Sequence, residues 1–211
     1  MADIFDEIDE ELKKDKAQLL WARYGKFVIA AVAAVILAVG SIQGSKAWKI
    51  KQAETAANAY YLAVNSEHVM VSLSRAMADL TDGYEMLAQF RVAAEKAADG
   101  DKEGAVTDYM ILAENLAIKP LYQQAALLLA VMNAPVGTDP NQSQDKLARL
   151  TAAPGPWQGL ALEHSAALDL EKNDSAAALK KFESILSLAE LSPELRQRAS
   201  QLVTILKSVA E

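Results

Sequence analysis

The feature that most constrains this chain is an uninterrupted apolar stretch near its N-terminus, residues 27–45. It reads FVIAAVAAVILAVGSIQGS, contains no charged residue, and lies between Lys26 and Lys46. As a helix it would be ~28 Å long, close to the hydrocarbon thickness of a bilayer. Its Phe, Val, Ile and Leu side chains contribute on the order of −4 kcal/mol to insertion, which suits a single anchor. We therefore predict one transmembrane helix over residues 27–45.

Two other interpretations of this stretch are weaker. A buried core helix would rarely have a charge-free run of this length. A cleaved signal peptide would find a small-x-small site at Ala38 and Gly40, but a short basic segment should precede it. Here the preceding 26 residues are rich in acids instead. We expect the stretch to stay in the mature chain.

Residues 1–26 are predicted to form an N-terminal amphipathic segment. Its apolar residues recur near helical spacing and are Ile4, Phe5, Ile8, Leu12 and Leu19. It is either a surface helix that leads into the anchor or a docking helix for a partner. Five basic residues precede the anchor (Lys13, Lys14, Lys16, Arg23, Lys26) and three follow it (Lys46, Lys49, Lys51). This bias places the N-terminus in the cytoplasm and the C-terminal part on the other side.

The composition of the whole chain limits which classes of protein are possible. The net charge of −7 argues against a nucleic-acid partner. The chain has no cysteine, which excludes disulfides, thiolate catalysis and cysteine-based metal sites. Alanine and leucine dominate, whereas glycine and proline are sparse, and this composition predicts an all-α domain.

The C-terminal part contains an internal repeat. Residues 92–120 align with residues 165–193 without a gap, at a constant offset of 73, about twice the length of a two-helix repeat unit. Four pairs of matched residues are predicted to pack the repeats: Ala105 with Ala178, Tyr109 with Phe182, Leu112 with Ile185, and Pro120 with Pro193. The small alanines let two helices approach closely, and the aromatic rings fill the space one turn later. Stacked helical hairpins are therefore predicted.

The turn of each repeat has a residue suited to ending one helix and another suited to starting the next. Gly100 and Asn173 can take the left-handed conformation that ends a helix. Asp101 and Asp174 can then cap the following helix. The prolines suit the first turn of the next helix, and Ser192 can cap the one that begins at Pro193.

Turn-forming residues predict the helices and loops outside the two aligned repeats. A first hairpin is predicted from residues 48–64 and 67–80, then a helix over 121–133, a loop over 134–142, and a short helix over 143–151. The last hairpin is predicted over 157–191, and a final helix, 193–208, would cap the stack. A stripe at heptad-like spacing predicts either packing on the next hairpin, which we favour, or a dimeric coiled coil. Its members are Ala56, Ala59, Ala63, Met70, Leu73, Met77 and Leu80.

No constellation of catalytic residues stands out. His68 and His164 are the two histidines, and neither has the second histidine at the spacing of a zinc-binding helix. A calcium-like start at Asp99 and Asp101 lacks its closing glutamate, because that position is Met110. We predict no enzyme activity, no cofactor and no metal site.

Two resemblances follow from these motifs. An alanine after the turn with an aromatic residue four positions later resembles the second helix of tetratricopeptide repeats. The segments DIFDEIDEEL and RYGKF, then one anchor and alanine-rich hairpins, are similar to the YfgM-type family of bacterial inner-membrane proteins. That resemblance implies a single-pass protein with a cytoplasmic N-terminus and a periplasmic repeat domain. It also implies association with the Sec translocon and a periplasmic folding factor.

The expected function is that of a membrane-anchored protein–protein interaction module. The alternative is a structural accessory subunit of another inner-membrane assembly, such as a respiratory or envelope complex. In either case small residues on the anchor would permit close helix packing: Ala30, Ala33, Ala34, Gly40 and Gly44. The predicted organisation is residues 1–26 in the cytoplasm, 27–45 in the membrane, and 46–211 as the repeat domain.

Overall fold

A computed structural model describes the backbone of residues 3–210 and the side chains of residues 18, 20–27 and 29–208. Within these residues the fold is all-α and has no strand, which confirms the predicted fold class. The helices are α1 (Asp3–Val64), α2 (Val69–Ala76), a short 3-10 helix (Met77–Asp79), α3 (Asp82–Ala98), α4 (Lys102–Glu114), α5 (Pro120–Met132), α6 (Pro140–Ala152), α7 (Gln158–Glu171), α8 (Ser175–Leu186) and α9 (Pro193–Ala210).

The chain divides into two compact units, Met1–Thr55 and Ala56–Glu211. The first unit consists of α1 up to Thr55. Over Leu20–Val64, α1 is long and apolar enough to cross a membrane, and none of the described residues in its most apolar portion is buried. The predicted boundaries at residues 26 and 45 both fall inside α1 and stay predictions. The apolar face predicted for the N-terminal segment lies outside the described side chains.

The second unit is a series of helices in which each hydrophobic cluster joins neighbouring elements along the chain. The first cluster contains Ala63 at the end of α1, Leu73 in α2, and Ala88 in α3. The next joins α3, α4 and α5, and a third joins α5, α6 and α7. The last joins α7, α8 and α9, where Leu195 and Ala199 of α9 are buried. Each helix pair therefore completes its core only with the next, as in stacked repeats.

The turns of the two aligned hairpins confirm the predicted turn chemistry. Gly100 and Asn173 have φ values of 92° and 62°, so both are left-handed. The Asp101 carboxylate accepts a hydrogen bond from the Gly104 amide at 2.9 Å, and Asp174 accepts one from Ala177 at the same distance. These bonds satisfy amides that have no partner within their own helix.

The start of α6 corrects one prediction. Helix α6 begins at Pro140, so the predicted loop over residues 134–142 is too long by three residues at its C-terminal end. The Asp139 side chain accepts a hydrogen bond from the Asn141 amide at 2.9 Å. Proline in the first turn loses no helical hydrogen bond, so Asp139 and Pro140 start a helix just as Lys119 and Pro120 do.

Two further helix boundaries differ from the predictions. The helix predicted over residues 67–80 is α2 and the 3-10 helix, which end at Asp79 because Leu80 is extended. The last hairpin was predicted to reach residue 191, but α8 ends at Leu186. The next residues form a loop from which Leu188 and Leu191 pack on the α7–α8–α9 cluster.

The heptad-like stripe packs on α3 through four of its residues. Ala63, Leu73, Met77 and Leu80 belong to the cluster that contains Ala88 of α3. For these four the preferred interpretation, packing on the next hairpin, is confirmed.

Candidate interaction groove

A groove of about 750 Å³ lies in the second unit, beside the first turns of α3 and α5. One wall is the start of α3, residues 81–89. The other wall comes from the α4–α5 loop and the first turn of α5, and its residues are Asn115, Ala117, Ile118, Lys119 and Tyr122. Helices α3 and α5 are the first helices of successive hairpins, and stacked hairpins present extended binding surfaces of this kind.

The residues that begin α3 determine which side chains line this wall. Thr81 is extended and precedes the helix, and Asp82 and Glu85 occupy the first turn. Carboxylates are favoured there because the helix N-terminus carries partial positive charge. Glu85 also accepts a hydrogen bond from Gln89 Nε2 at 3.2 Å. The aromatic ring of Tyr84 packs against Tyr60 at a centroid distance of 5.6 Å.

The opposite wall is fixed by hydrogen bonds of the loop. Asn115 Oδ1 accepts a bond from the Ala117 amide at 3.0 Å, and the Asn115 carbonyl accepts one from Gln123 Nε2 at 2.6 Å. Lys119 is extended, as a residue before proline prefers to be, and Pro120 then opens α5. The loop therefore presents a defined surface to the groove.

The groove is lined by both apolar and charged side chains. Met86 and Ile118 are half-buried, whereas Leu87 and Tyr122 remain 41% and 39% exposed. Asp82, Glu85 and Lys119 are exposed, and no ion-pair partner lies within 4 Å of any of them among the described residues. Apolar contact area with a few polar groups around it is typical of a binding site.

The residues predicted to pack the repeats lie outside this groove. Ala105, Tyr109 and Leu112 are buried together in the α3–α4–α5 cluster. Ala178, Phe182 and Ile185 are buried together in the α7–α8–α9 cluster. Pro120 and Pro193 are the first residues of α5 and α9. Burial raises the pKa of Tyr109 above its ordinary value, so its hydroxyl stays protonated.

The residues predicted to pack the anchor lie on exposed surface of α1. They are Ala30, Ala33, Ala34, Gly40 and Gly44. A Cβ atom added at Gly40 or Gly44 would meet no described atom within 4 Å, so both positions are accessible. Just before the predicted span, Gly25 is buried beneath the Trp21 ring. A Cβ atom added at Gly25 would lie 3.1 Å from that ring.

A buried carboxylate that the sequence analysis missed lies between α6, α7 and α8. Asp169 is only 3% exposed, and its Oδ2 is 2.5 Å from Lys181 Nζ. Gln144 Nε2 donates to Oδ1 at 2.5 Å, and Lys172 Nζ is 3.3 Å from the same oxygen. Burial raises the pKa of Asp169, but the contacts with Lys181, Gln144 and Lys172 outweigh burial, so the pKa is lowered. The carboxylate is therefore ionised and holds three helices together.

A signal for this carboxylate was present in the sequence. Asp169 follows Ser165 and Ala166 at helical spacing, on the face of α7 that is buried. A charged residue on such a face needs a partner of opposite charge. The partner Lys172 is three residues away, but Lys181 belongs to another helix.

Neither histidine takes part in a site that resembles a metal centre. His68 is exposed before α2, and His164 is half-buried in α7. Burial lowers the pKa of His164, an effect that Glu171 and Glu163 partly oppose. In the part of the chain that the structure describes, no three His, Asp or Glu side chains form a group able to hold a metal ion.

Comparison with known proteins gives one family. The model of the tetratricopeptide repeat-like domain matches residues 18–155, which extend from within α1 to the loop after α6. Neither the curated proteins nor the solved structures gave a match. The matched range covers more than half of the chain, and the stacked hairpins fit it. The chain therefore belongs to the tetratricopeptide repeat-like domain family.

Proposed function

We propose that this protein is a membrane-anchored interaction module whose groove between α3 and α5 binds a segment of another protein. Tetratricopeptide repeat-like domains are generally interaction modules rather than enzymes, and they bind protein partners. The observation that carries the proposal is the groove itself, where Leu87 and Tyr122 expose apolar surface beside charges that have no ion-pair partner among the described residues. Apolar surface of this kind gains most when a partner covers it.

The exposed apolar surface of α1 supports the anchoring. Large side chains along residues 27–42 are about half to two-thirds exposed, with Phe27 at 63% and Ile36 at 65%. In water this exposure would be costly, whereas hydrocarbon tails would cover it. We propose residues 27–45 as the span, 1–26 as a cytoplasmic segment, and 46–211 as a periplasmic repeat domain at a bacterial inner membrane. Anchoring would concentrate the groove near membrane complexes.

The choice of proposed partners rests on the resemblance of the segments DIFDEIDEEL and RYGKF to the YfgM-type family. We propose that the protein is an accessory subunit of the Sec translocon and works with a periplasmic folding factor. It would bind and release segments of clients as they emerge, with no covalent step. The alternative is a structural subunit of a respiratory or envelope complex, and the accessible Gly40 and Gly44 face favours it.

Photocrosslinking in living cells tests the proposal. A photoreactive amino acid replaces Leu87 or Tyr122 in the groove, Gly40 in the span, or Gln197 on the exposed side of α9 as a control. We expect protein adducts from the groove positions that are absent at Gln197. Translocon subunits trapped from Gly40 support the first assignment, and respiratory subunits support the alternative. A chain that gives no protein adduct from either groove position contradicts the proposed function.

A further inference from the structure

The groove is electrically asymmetric. The α3 wall carries two carboxylates, Asp82 and Glu85, and the opposite wall carries one ammonium group, Lys119. All three are exposed, and none has an ion-pair partner among the described residues. The groove therefore has an excess of negative charge, and this excess lies on one wall. A cationic side chain placed beside α3 would be favoured there, and an anionic one would be repelled.

Two amide side chains also leave hydrogen-bonding capacity in the groove. Gln89 Nε2 donates to Glu85, which leaves the Gln89 Oε1 as an acceptor. Asn115 Oδ1 accepts from Ala117, which leaves the Asn115 Nδ2 as a donor. Gln89 lies on the α3 wall and Asn115 on the opposite wall. Among the described residues, an amide acceptor on the α3 wall and an amide donor on the opposite wall therefore lack a hydrogen bond.

This pair matches the backbone of an extended peptide. An extended segment has N–H and C=O groups that need partners when it leaves water, whereas a helix satisfies most of its own. The apolar residues of both walls can cover side chains of the same segment. The groove volume of about 750 Å³ lies within the range of binding pockets, roughly 300–1,000 Å³.

We propose that the groove binds a short extended apolar segment of a partner protein that carries a lysine or arginine at the end beside Asp82 and Glu85. This inference rests on the proposed function and specifies the chemistry of the segment. Apolar residues supply the contact area, the two amides fix the backbone, and the α3 carboxylates set the direction in which the segment lies. Binding requires no enzymatic step.

The test uses the full-length protein in nanodiscs of neutral phosphatidylcholine, so that basic peptides are not attracted to the lipid. Two fluorescent peptides with blocked ends share a core of four apolar residues and differ in one flank, which has two lysines or two glutamates. We expect the lysine peptide to bind roughly threefold to tenfold more tightly, as two exposed charge pairs would give. The difference should shrink as salt rises from about 20 mM to 300 mM. Empty nanodiscs give the background.

Variants that remove charges test whether Asp82 and Glu85 cause the preference for the lysine peptide. The double variant Asp82→Asn, Glu85→Gln should remove the preference for the lysine peptide. Asp145→Asn, Glu190→Gln neutralises two other exposed acids and changes the net charge equally, so it should retain the preference. Lys119→Gln should strengthen binding of the lysine peptide and leave its preference in place. Circular dichroism of each variant checks that the helices are intact.

Each contrary result has a distinct meaning. Equal binding of both peptides, or a preference that the Asp145 and Glu190 variant removes as well, overturns the inference. If neither peptide binds while groove positions still form protein adducts in cells, the inference fails and the proposed function stands. Adducts from Tyr122 to a second copy of this chain would name that copy as the occupant and overturn the inference. Absence of all adducts from the groove overturns the proposed function itself.

Discussion

At the scale of single residues, the buried carboxylate of Asp169 should contribute strongly to stability. The carboxylate is buried, whereas Lys181 and Lys172 are each partly exposed and can still reach water when it is removed. We expect Asp169→Asn to lower the free energy of unfolding by about 2–3 kcal/mol, near the lower limit for breaking a buried pair. Urea unfolding of the full-length protein in mild detergent measures this loss.

The matched control is Glu163→Gln. Glu163 makes a bidentate ion pair with Arg198 at 2.7 and 2.8 Å, but this pair is more exposed than Asp169. Exposed pairs stabilise proteins much less because water already solvates both charges. Equal losses in the two variants would contradict the role given to burial at Asp169.

The lowered pKa of Asp169 also predicts a pH dependence with a defined sign. Its folded pKa lies below the ordinary value of about 3.9, so the folded protein favours the ionised carboxylate. Its stabilising contribution is complete above the ordinary pKa and is lost as pH falls through the folded pKa. We expect the stability difference between the unsubstituted protein and Asp169→Asn to be constant near pH 7. It should shrink below about pH 5.

Urea unfolding at a series of pH values from neutral to acid measures this difference. Subtracting the variant removes the contribution of the other carboxylates, which titrate in both proteins. A difference that grows as the pH falls would mean that the folded pKa of Asp169 is raised instead.

At the scale of elements, the turn between α3 and α4 depends on a left-handed residue. Gly100 has φ 92°, a conformation that costs a residue with a side chain about 1–2 kcal/mol. We expect Gly100→Ala to destabilise the protein by about 1 kcal/mol. Gly83 lies in the first turn of α3 with open space around a Cβ, so Gly83→Ala should be neutral or stabilise by up to about 0.5 kcal/mol. Urea unfolding midpoints compare the two variants, and the same sign for both would contradict the turn geometry.

The same turn shows why much of the fold could be predicted from the sequence. A left-handed residue followed by an aspartate cap depends on adjacent residues alone, so Gly100 with Asp101 and Asn173 with Asp174 are visible in the sequence. The start of α6 was missed although Asp139 and Pro140 give a similar local signal. There Pro135 and Gly137 precede the proline, and this pattern favours a loop that continues through Pro140.

The groove is harder to predict because it depends on residues far apart in the chain. Leu87 and Tyr122 are separated by α4, and only the packing of α3 and α5 on α4 places them beside one cavity. No local pattern distinguishes these apolar residues from those in the core, such as Leu112. Lys181 likewise reaches Asp169 from a different helix, so its role appears only after the helices pack.

At the scale of the whole molecule, the second unit has no single core. Among the described residues, its four hydrophobic clusters follow one another along the chain, and α3, α5 and α7 each contribute to two of them. When cores are shared in this way, the stability of each hairpin depends mainly on its contacts with the adjacent hairpins. A change in the α7–α8–α9 cluster should therefore affect the groove less than a change in the α3–α4–α5 cluster, which contains Tyr109 next to Phe90 of α3.

The free energy of inserting the proposed anchor is only modestly favourable, so one charge at its centre should disrupt insertion. Arginine at the centre of a span costs about 2.5–3.5 kcal/mol, against the roughly −4 kcal/mol that the apolar residues contribute. Val35 lies near the centre of residues 27–45 and is 62% exposed. We therefore expect Val35→Arg to release a large fraction of the protein from bacterial membranes in alkaline carbonate, and immunoblots of pellet and supernatant measure this fraction.

Ser45→Arg is the matched control, since it adds the same charge beside Lys46 at the end of the span. An arginine there can extend its guanidinium to the interface, so this variant should stay in the pellet with the unsubstituted protein. If Val35→Arg also stays in the pellet, residues 27–45 do not hold the protein in the membrane alone. If both variants are released, the loss does not depend on depth, and a bilayer-spanning helix over these residues is contradicted.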